Sequence, residues 1–113
     1  MLGGGIKDVT HNARYEPDSP YRANRVYRLT RDVRLAPDGW LLWFDPAHPS
    51  LDKGDVVVSA GTRFRIDRII LDDRIASLQY DPQGVLLDGP YAGRWIDTIE
   101  IEDGSAVETT SPE

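Results

Sequence analysis

Five arginines recur at every third position of "YRANRVYRLTRDVRL": Arg22, Arg25, Arg28, Arg31 and Arg34. A regular run of cations is what a phosphate-binding stripe would need. Whether such a stripe exists depends on the backbone. On polyproline II this spacing lines one edge, on a helix it spreads around the circumference, and on a strand it alternates faces. Tyr27, Leu29, Val33 and Leu35 decide the matter, because they repeat with the period of a strand. Arg28 and Arg34 then point outward, while Arg25 and Arg31 share the apolar parity. No continuous basic face results. Arg31 is expected at a bulge in "TRD", or at a rim where it reaches Asp97 or Asp67.

Other chemistry-bearing residues are sparse. The chain has no cysteine, which removes disulfides, thiolate catalysis and cysteine-based zinc sites. Its histidines, His11 and His48, fall in different irregular segments, and "DPAHP" offers too few convergent ligands for a metal. The carboxylate pairs Asp72/Asp73 and Asp97/Glu100 read as turn and solvated-face residues. Ser59, Thr62 and Ser77 lack a matching base. The glycine-containing stretches do not lead into a helix, as a phosphate loop would. The expectation is no enzyme, no metal and no cofactor.

The net charge of −6 argues against general nucleic-acid affinity. The charge is uneven: residues 1–36 hold seven basic and four acidic side chains, whereas residues 37–113 hold six and fifteen. Eleven of the thirteen basic residues are arginine, which favours forked, held ion pairs. No apolar run approaches the length of a membrane span, and no signal peptide is read at the start.

Aromatic residues give a more specific lead. Trp40, Trp43, Tyr80, Tyr91 and Trp95 are numerous for so short a chain. Trp40 and Trp43 differ in parity, so a regular strand buries one and exposes the other, unless a twist or bulge buries both. An exposed tryptophan beside the proline-rich loop "DPAHPSLDKGD" would suit a ligand or partner. The expected surface combines the 40–50 loop with "DGPYAG", using Trp43, Tyr91 and Arg94, with Arg28 available to pair with carboxylates.

These residues need a scaffold. Period-two apolar patterning between residues 25 and 101 is broken every 8–12 residues by turn signals. "APDG" predicts a turn, "WLLWF" a strand, and "VVVSAGTRFRIDRI" two strands about a tight "SAG" turn. "IASLQY" and "GVLLDG" predict a hairpin about "DPQG", and "GRWIDTIEIE" a closing strand with Trp95, Ile99 and Ile101 inward. The three tryptophans, Phe44 and Phe64 are expected to supply much of the core. Residues 1–24 read as an irregular arm or tether and residues 102–113 as a disordered acidic tail. The fold class is all-β: a small antiparallel barrel of five to seven strands.

"VYRLTRDVRL", "VVVSAGTRFRIDRI" and "GVLLDGPYAGRWIDT" together resemble the plan of bacterial SH3-like domains, with Gly61-Thr62 and Gly89 to Trp95 at the family's turn and closing-strand motifs. The arm "GGGIKDVTHNARY" is similar to that of small bacterial envelope lipoproteins with an SH3-like barrel. The resemblance implies a tethered, non-enzymatic binding or scaffold module in the periplasm or outer envelope. A lipid anchor would be its only membrane link, and its partner would be a protein or a cell-wall-derived ligand. An alternative is an acidic inhibitor or immunity-type protein that binds a basic enzyme by charge, in the cytoplasm.

Overall fold

The computed structural model describes residues 6–12, 14–15, 19–48, 50–72, 79–101 and 104–109. Its strands are β1 (Ile6–Asp8), β2 (Val26–Leu29), β3 (Val33–Leu35), β4 (Leu41–Trp43), β5 (Val56–Val58), β6 (Arg63–Asp72), β7 (Gln79–Leu86), β8 (Trp95–Asp97) and β9 (Ala106–Glu108). Among the described residues a single 3-10 turn, Ile99–Ile101, is the only helical element. The fold is all-β, with antiparallel ladders in two sheets. One sheet runs β8-β7-β6-β2-β9 with β1 also on β6, and the other runs β4-β3-β5. An isolated parallel bridge between Trp40 and Asp97 joins them.

Alternation builds the strands as the sequence predicts. Tyr27, Leu29, Val33 and Leu35 are all buried, and Arg28 between them is exposed. In β6 the buried set changes phase, from Phe64 and Ile66 to Ile69 and Leu71. The pairing with β7 slips at the same place, between Ile66 and Arg68, so Asp67 is the extra residue of a bulge. Without that insertion the second half of β6 would turn its apolar residues to solvent. Gly84 faces the bulge, and a Cβ there would lie 1.7 Å from the Arg65 carbonyl oxygen. Only glycine lets the two backbones meet so closely.

The core is mainly aliphatic, with one aromatic cluster. Tyr21, Tyr27 and Phe64 pack with ring centroids 4.8 to 5.7 Å apart. Tyr21 Oη donates to the Ile101 carbonyl at 2.6 Å, and Tyr27 Oη accepts from the Arg22 amide at 2.7 Å. The buried phenols thereby keep polar partners.

Several expectations are corrected. All three tryptophans are substantially exposed, so Tyr21 and Tyr27 replace them in the core. "DPQG" is not a turn: Asp81 to Gly84 lie inside β7, and residues 75–78 of the expected first arm, "IASLQY", lie outside the described residues. "SAG" does reverse the chain, but β5 and β6 do not pair; the turn carries the chain from one sheet to the other. In the closing segment Ile96 and Ile101 are buried, while Trp95 is exposed. The sheet also reaches past both expected limits of the folded unit. β1 pairs with residues 70–72 of β6, Val9 is buried, and β9 pairs with β2. Residues 102, 103 and 110–113 of the expected tail lie outside the described residues.

Replacing Gly84 by alanine forces the strands apart at the bulge. The expected cost is about 2–3 kcal/mol, read as a melting temperature lower by roughly 10 °C. An unchanged melting curve would show that the close approach is not tight.

Candidate functional site

The β5–β6 turn and the β7–β8 loop enclose a pocket of about 390 Å³, lined by residues 57–62 and 88–91. Each wall is fixed by hydrogen bonds. The Gly61 amide donates to Leu29 O at 2.8 Å, Thr62 N to Ser59 O at 3.2 Å, and Ala60 N to the Asp32 carboxylate at 2.8 Å. Across the pocket, Gly93 N donates to Leu86 O at 2.8 Å and Ala92 N to Gly89 O at 3.2 Å. Gly61 has φ +92°, a conformation that such a tight corner requires.

An ion pair ties the two walls together. Arg63 donates through Nε and Nη2 to the Asp88 carboxylate at 2.9 and 2.8 Å, and through its amide at 3.0 Å. This fork, seconded by the charge of Arg28, holds the Asp88 carboxyl down at about 2. Arg28 Nη1 donates to Gly61 O at 3.2 Å, which brings its guanidinium to the same rim. Among the described residues, the hydroxyls of Ser59, Thr62 and Tyr91 make no intramolecular hydrogen bond.

The structure therefore divides the surface expected from sequence. Tyr91 lines the pocket, whereas Arg28 lies outside its lining and reaches it only through the bond to Gly61 O. Arg94 belongs to the same loop as Tyr91, but its guanidinium turns to Pro37 O at 3.5 Å. Trp43 stands at the end of β4, opposite Val33, in the smaller sheet. Trp40 and Trp43 are 37% and 49% exposed, so the parity argument, which buries one of them, is corrected. Trp40 precedes β4, and Leu41 takes the inward place.

The arginine run disperses. Arg34 donates to Asp55 at 2.9 Å and to Trp43 O at 2.9 Å, and Arg25 pairs with Glu108 at 3.2 Å. Arg31 sits in the bend after β2, exposed. Neither proposed acid is open to it: Asp67 is held by Arg65 at 2.6 Å, and Asp97 is buried. The bulge is in β6, not at "TRD".

A second cavity, of about 640 Å³, lies where the N-terminal arm crosses the bulge, lined by residues 8–12, 67 and 68. Its polar groups hold the arm. The Asp8 carboxylate accepts from the amide and hydroxyl of Thr10, and Thr10 Oγ1 accepts from Ile69 N at 3.0 Å. These bonds keep the Asp8 carboxyl below its ordinary range. His11 lines this cavity, while His48 lies in the loop after β4.

One cluster escaped the sequence reading, which placed Asp97 on a solvated face. Asp97 is 3% exposed, opposite Gln83 in the β7–β8 ladder. Ile99 N donates to Asp97 Oδ1 at 3.0 Å, Gln83 Nε2 to Asp81 Oδ2 at 2.9 Å, and Arg68 Nε to Gln83 Oε1 at 2.6 Å. Asp81 Oδ1 is buried with no donor of its own. Burial first, and then the neighbouring Asp81, push the Asp97 carboxyl up to about 7.

Two opposed pH dependences follow. Asp97 keeps in the folded state a proton that the unfolded chain releases, so its contribution to stability falls as pH rises from about 4 to 7. Asp88 acts in reverse, its contribution being lost as pH falls from about 4 to 2. Denaturant melts across pH should show the Asp97→Asn variant losing the decline between 4 and 7; a wild-type slope in that variant would reject Asp97 as its source. Replacing Trp43 by alanine should cost no more than about 1 kcal/mol in the same melts. No protein-family model, no curated protein and no solved structure matches this chain.

Proposed function

We propose that the protein is a non-enzymatic binding module of the bacterial cell envelope, with the SH3-like barrel plan that its motifs resemble. Its ligand surface is the pocket between the β5–β6 turn and the β7–β8 loop. The observation that carries this reading is the set of unspent groups there: the hydroxyls of Ser59, Thr62 and Tyr91, on turns braced by the Arg63–Asp88 fork. Rigid turns presenting groups with no internal work are how a small β scaffold recognises a ligand. The resemblance of the N-terminal arm to that of envelope lipoproteins supports a periplasmic or outer-envelope location and a protein or cell-wall-derived partner.

A photo-crosslinking residue at position 91, in cells labelled with a radioactive fatty acid, tests this. The expected result is a crosslinked partner in the envelope fraction from position 91 and none from position 6. Ile6 is exposed at the opposite end of β6, opposite Asp72. A soluble, unlabelled protein whose capture collapses with added salt would instead favour an acidic inhibitor of a basic enzyme.

A further inference from the structure

We propose that this pocket takes the C-terminal end of a partner protein, its last residues added as a strand along β5 and its terminal carboxylate on the amides of Gly89 and Tyr91. The assignment rests on the binding-module reading above and adds the class of ligand. The free edge follows from ladder register. Ala36 N donates to Trp40 O at 2.9 Å, so these two form a hydrogen-bonded pair of the β3–β4 hairpin. Two residues along the ladder Arg34 and Leu42 form another, and Arg34 turns its main-chain groups to β4. Val33 and Leu35 then turn theirs to β5, where they face Val58 and Val56. Val57, between those two, points its N–H and C=O away from β3. β5 ends its sheet, and no further strand among the described residues pairs there. The pocket lies on that side, since its lining takes in Val57, Val58 and residues 88–91 but nothing of β3.

An unpaired donor and acceptor side by side on an extended backbone are what an incoming strand completes. β5 has three residues, so the pairing is short and needs an anchor. The opposite wall supplies one. The carbonyls of Gly89 and Tyr91 are taken, by Ala92 N at 3.2 Å and Arg94 N at 3.1 Å. Their amides make no hydrogen bond among the described residues, and Pro90 between them has no N–H. This wall therefore presents donors alone. The middle of a peptide would bring its own N–H groups to such a wall and leave them unmet. A terminal carboxylate brings two acceptor oxygens, and its charge complements the positive ends of the amide dipoles. The nearby acids are already engaged, Asp88 by the Arg63 fork and Asp32 by Ala60 N. With the ion pairs closed internally, amide dipoles and not a spare cation hold the anion.

The test is a pair of arrays of the same random hexapeptides, one with free C-termini and one with C-terminal amides, probed with the full chain. Binders are expected on the free-acid array alone. The tightest, as a soluble N-acetylated peptide, should bind at least about tenfold tighter than its carboxamide. It should also shift the NMR amide signals of Val57, Ser59, Gly89 and Tyr91. Its affinity should change by less than about threefold between low and high salt, unlike charge-driven capture. Val57→Pro removes the edge N–H without removing a ladder bond, and should weaken binding by roughly fivefold while the spectrum stays folded. The proposal is overturned if neither array yields a binder, if acid and amide bind alike, or if the shifted signals lie elsewhere. Should Val57→Pro not fold, hydrogen exchange of the Val57 amide in the wild-type complex reads the same bond, and unslowed exchange overturns the strand addition. Failure here with a position-91 crosslink intact rejects the ligand class alone; loss of that crosslink rejects the binding module.

Discussion

Two strands share one edge of β6, and they can do so only because β6 bends between them. β2 pairs with residues 63–65 and β1 with residues 70–72, and the handover lies at the Asp67 bulge. Around it, Asn24 N donates to Ile66 O at 2.7 Å, Ile66 N to Arg25 O at 3.1 Å, and Val9 N to Ile69 O at 2.9 Å. The edge therefore stays satisfied through the bend. On the other side Gly84 admits the displaced backbone of β6. The arrangement lets a strand of ten residues serve three partners while its apolar side chains remain inward.

The same economy governs charge. Most arginines are anchored to a neighbour, which keeps an arginine-rich chain from presenting a basic surface. Arg34 meets a nearly buried Asp55, whose side chain is 4% exposed, and Arg63 clamps two loops through Asp88. Exposed pairs such as Arg25–Glu108 add little stability by themselves. Asp97 differs, because its carboxyl is buried beside that of Asp81, and burial holds its affinity for a proton above the ordinary range.

Legibility from sequence followed locality. Strand identity around Tyr27 to Leu35 was readable because alternation is written in consecutive residues, and the same alternation correctly denied a basic stripe. "DPQG" misled because its turn signals are local and the pairing that overrides them is not. Pro82 tolerates a strand because its carbonyl serves Thr98, at 3.1 Å from the amide and 2.8 Å from the hydroxyl. Its missing N–H would face Thr98 O, and that carbonyl accepts instead from Ile101 N at 3.0 Å. Tyr91, which lines the pocket, was singled out from sequence as an aromatic within "DGPYAG". Ser59, Thr62 and Asp88 were not, since only the sheet topology brings those two turns together. Asp97 was missed for a similar reason: its burial depends on Asp81 and Gln83 across a ladder.

The position of β9 bears on how the chain acquires its structure during translation. Tyr27 faces Glu108 in the ladder, and Tyr21 Oη reaches Ile101, so the edge of the larger sheet is closed by residues made long after their partners. On a ribosome β2 must wait, with one side unpaired, while everything between them emerges. Such distant pairings are slow to nucleate, because the loop they close costs entropy before any contact repays it. Consolidation of this sheet is thus a late, post-emergence event, and the unpaired edge of β2 is the segment that a chaperone would shield until then.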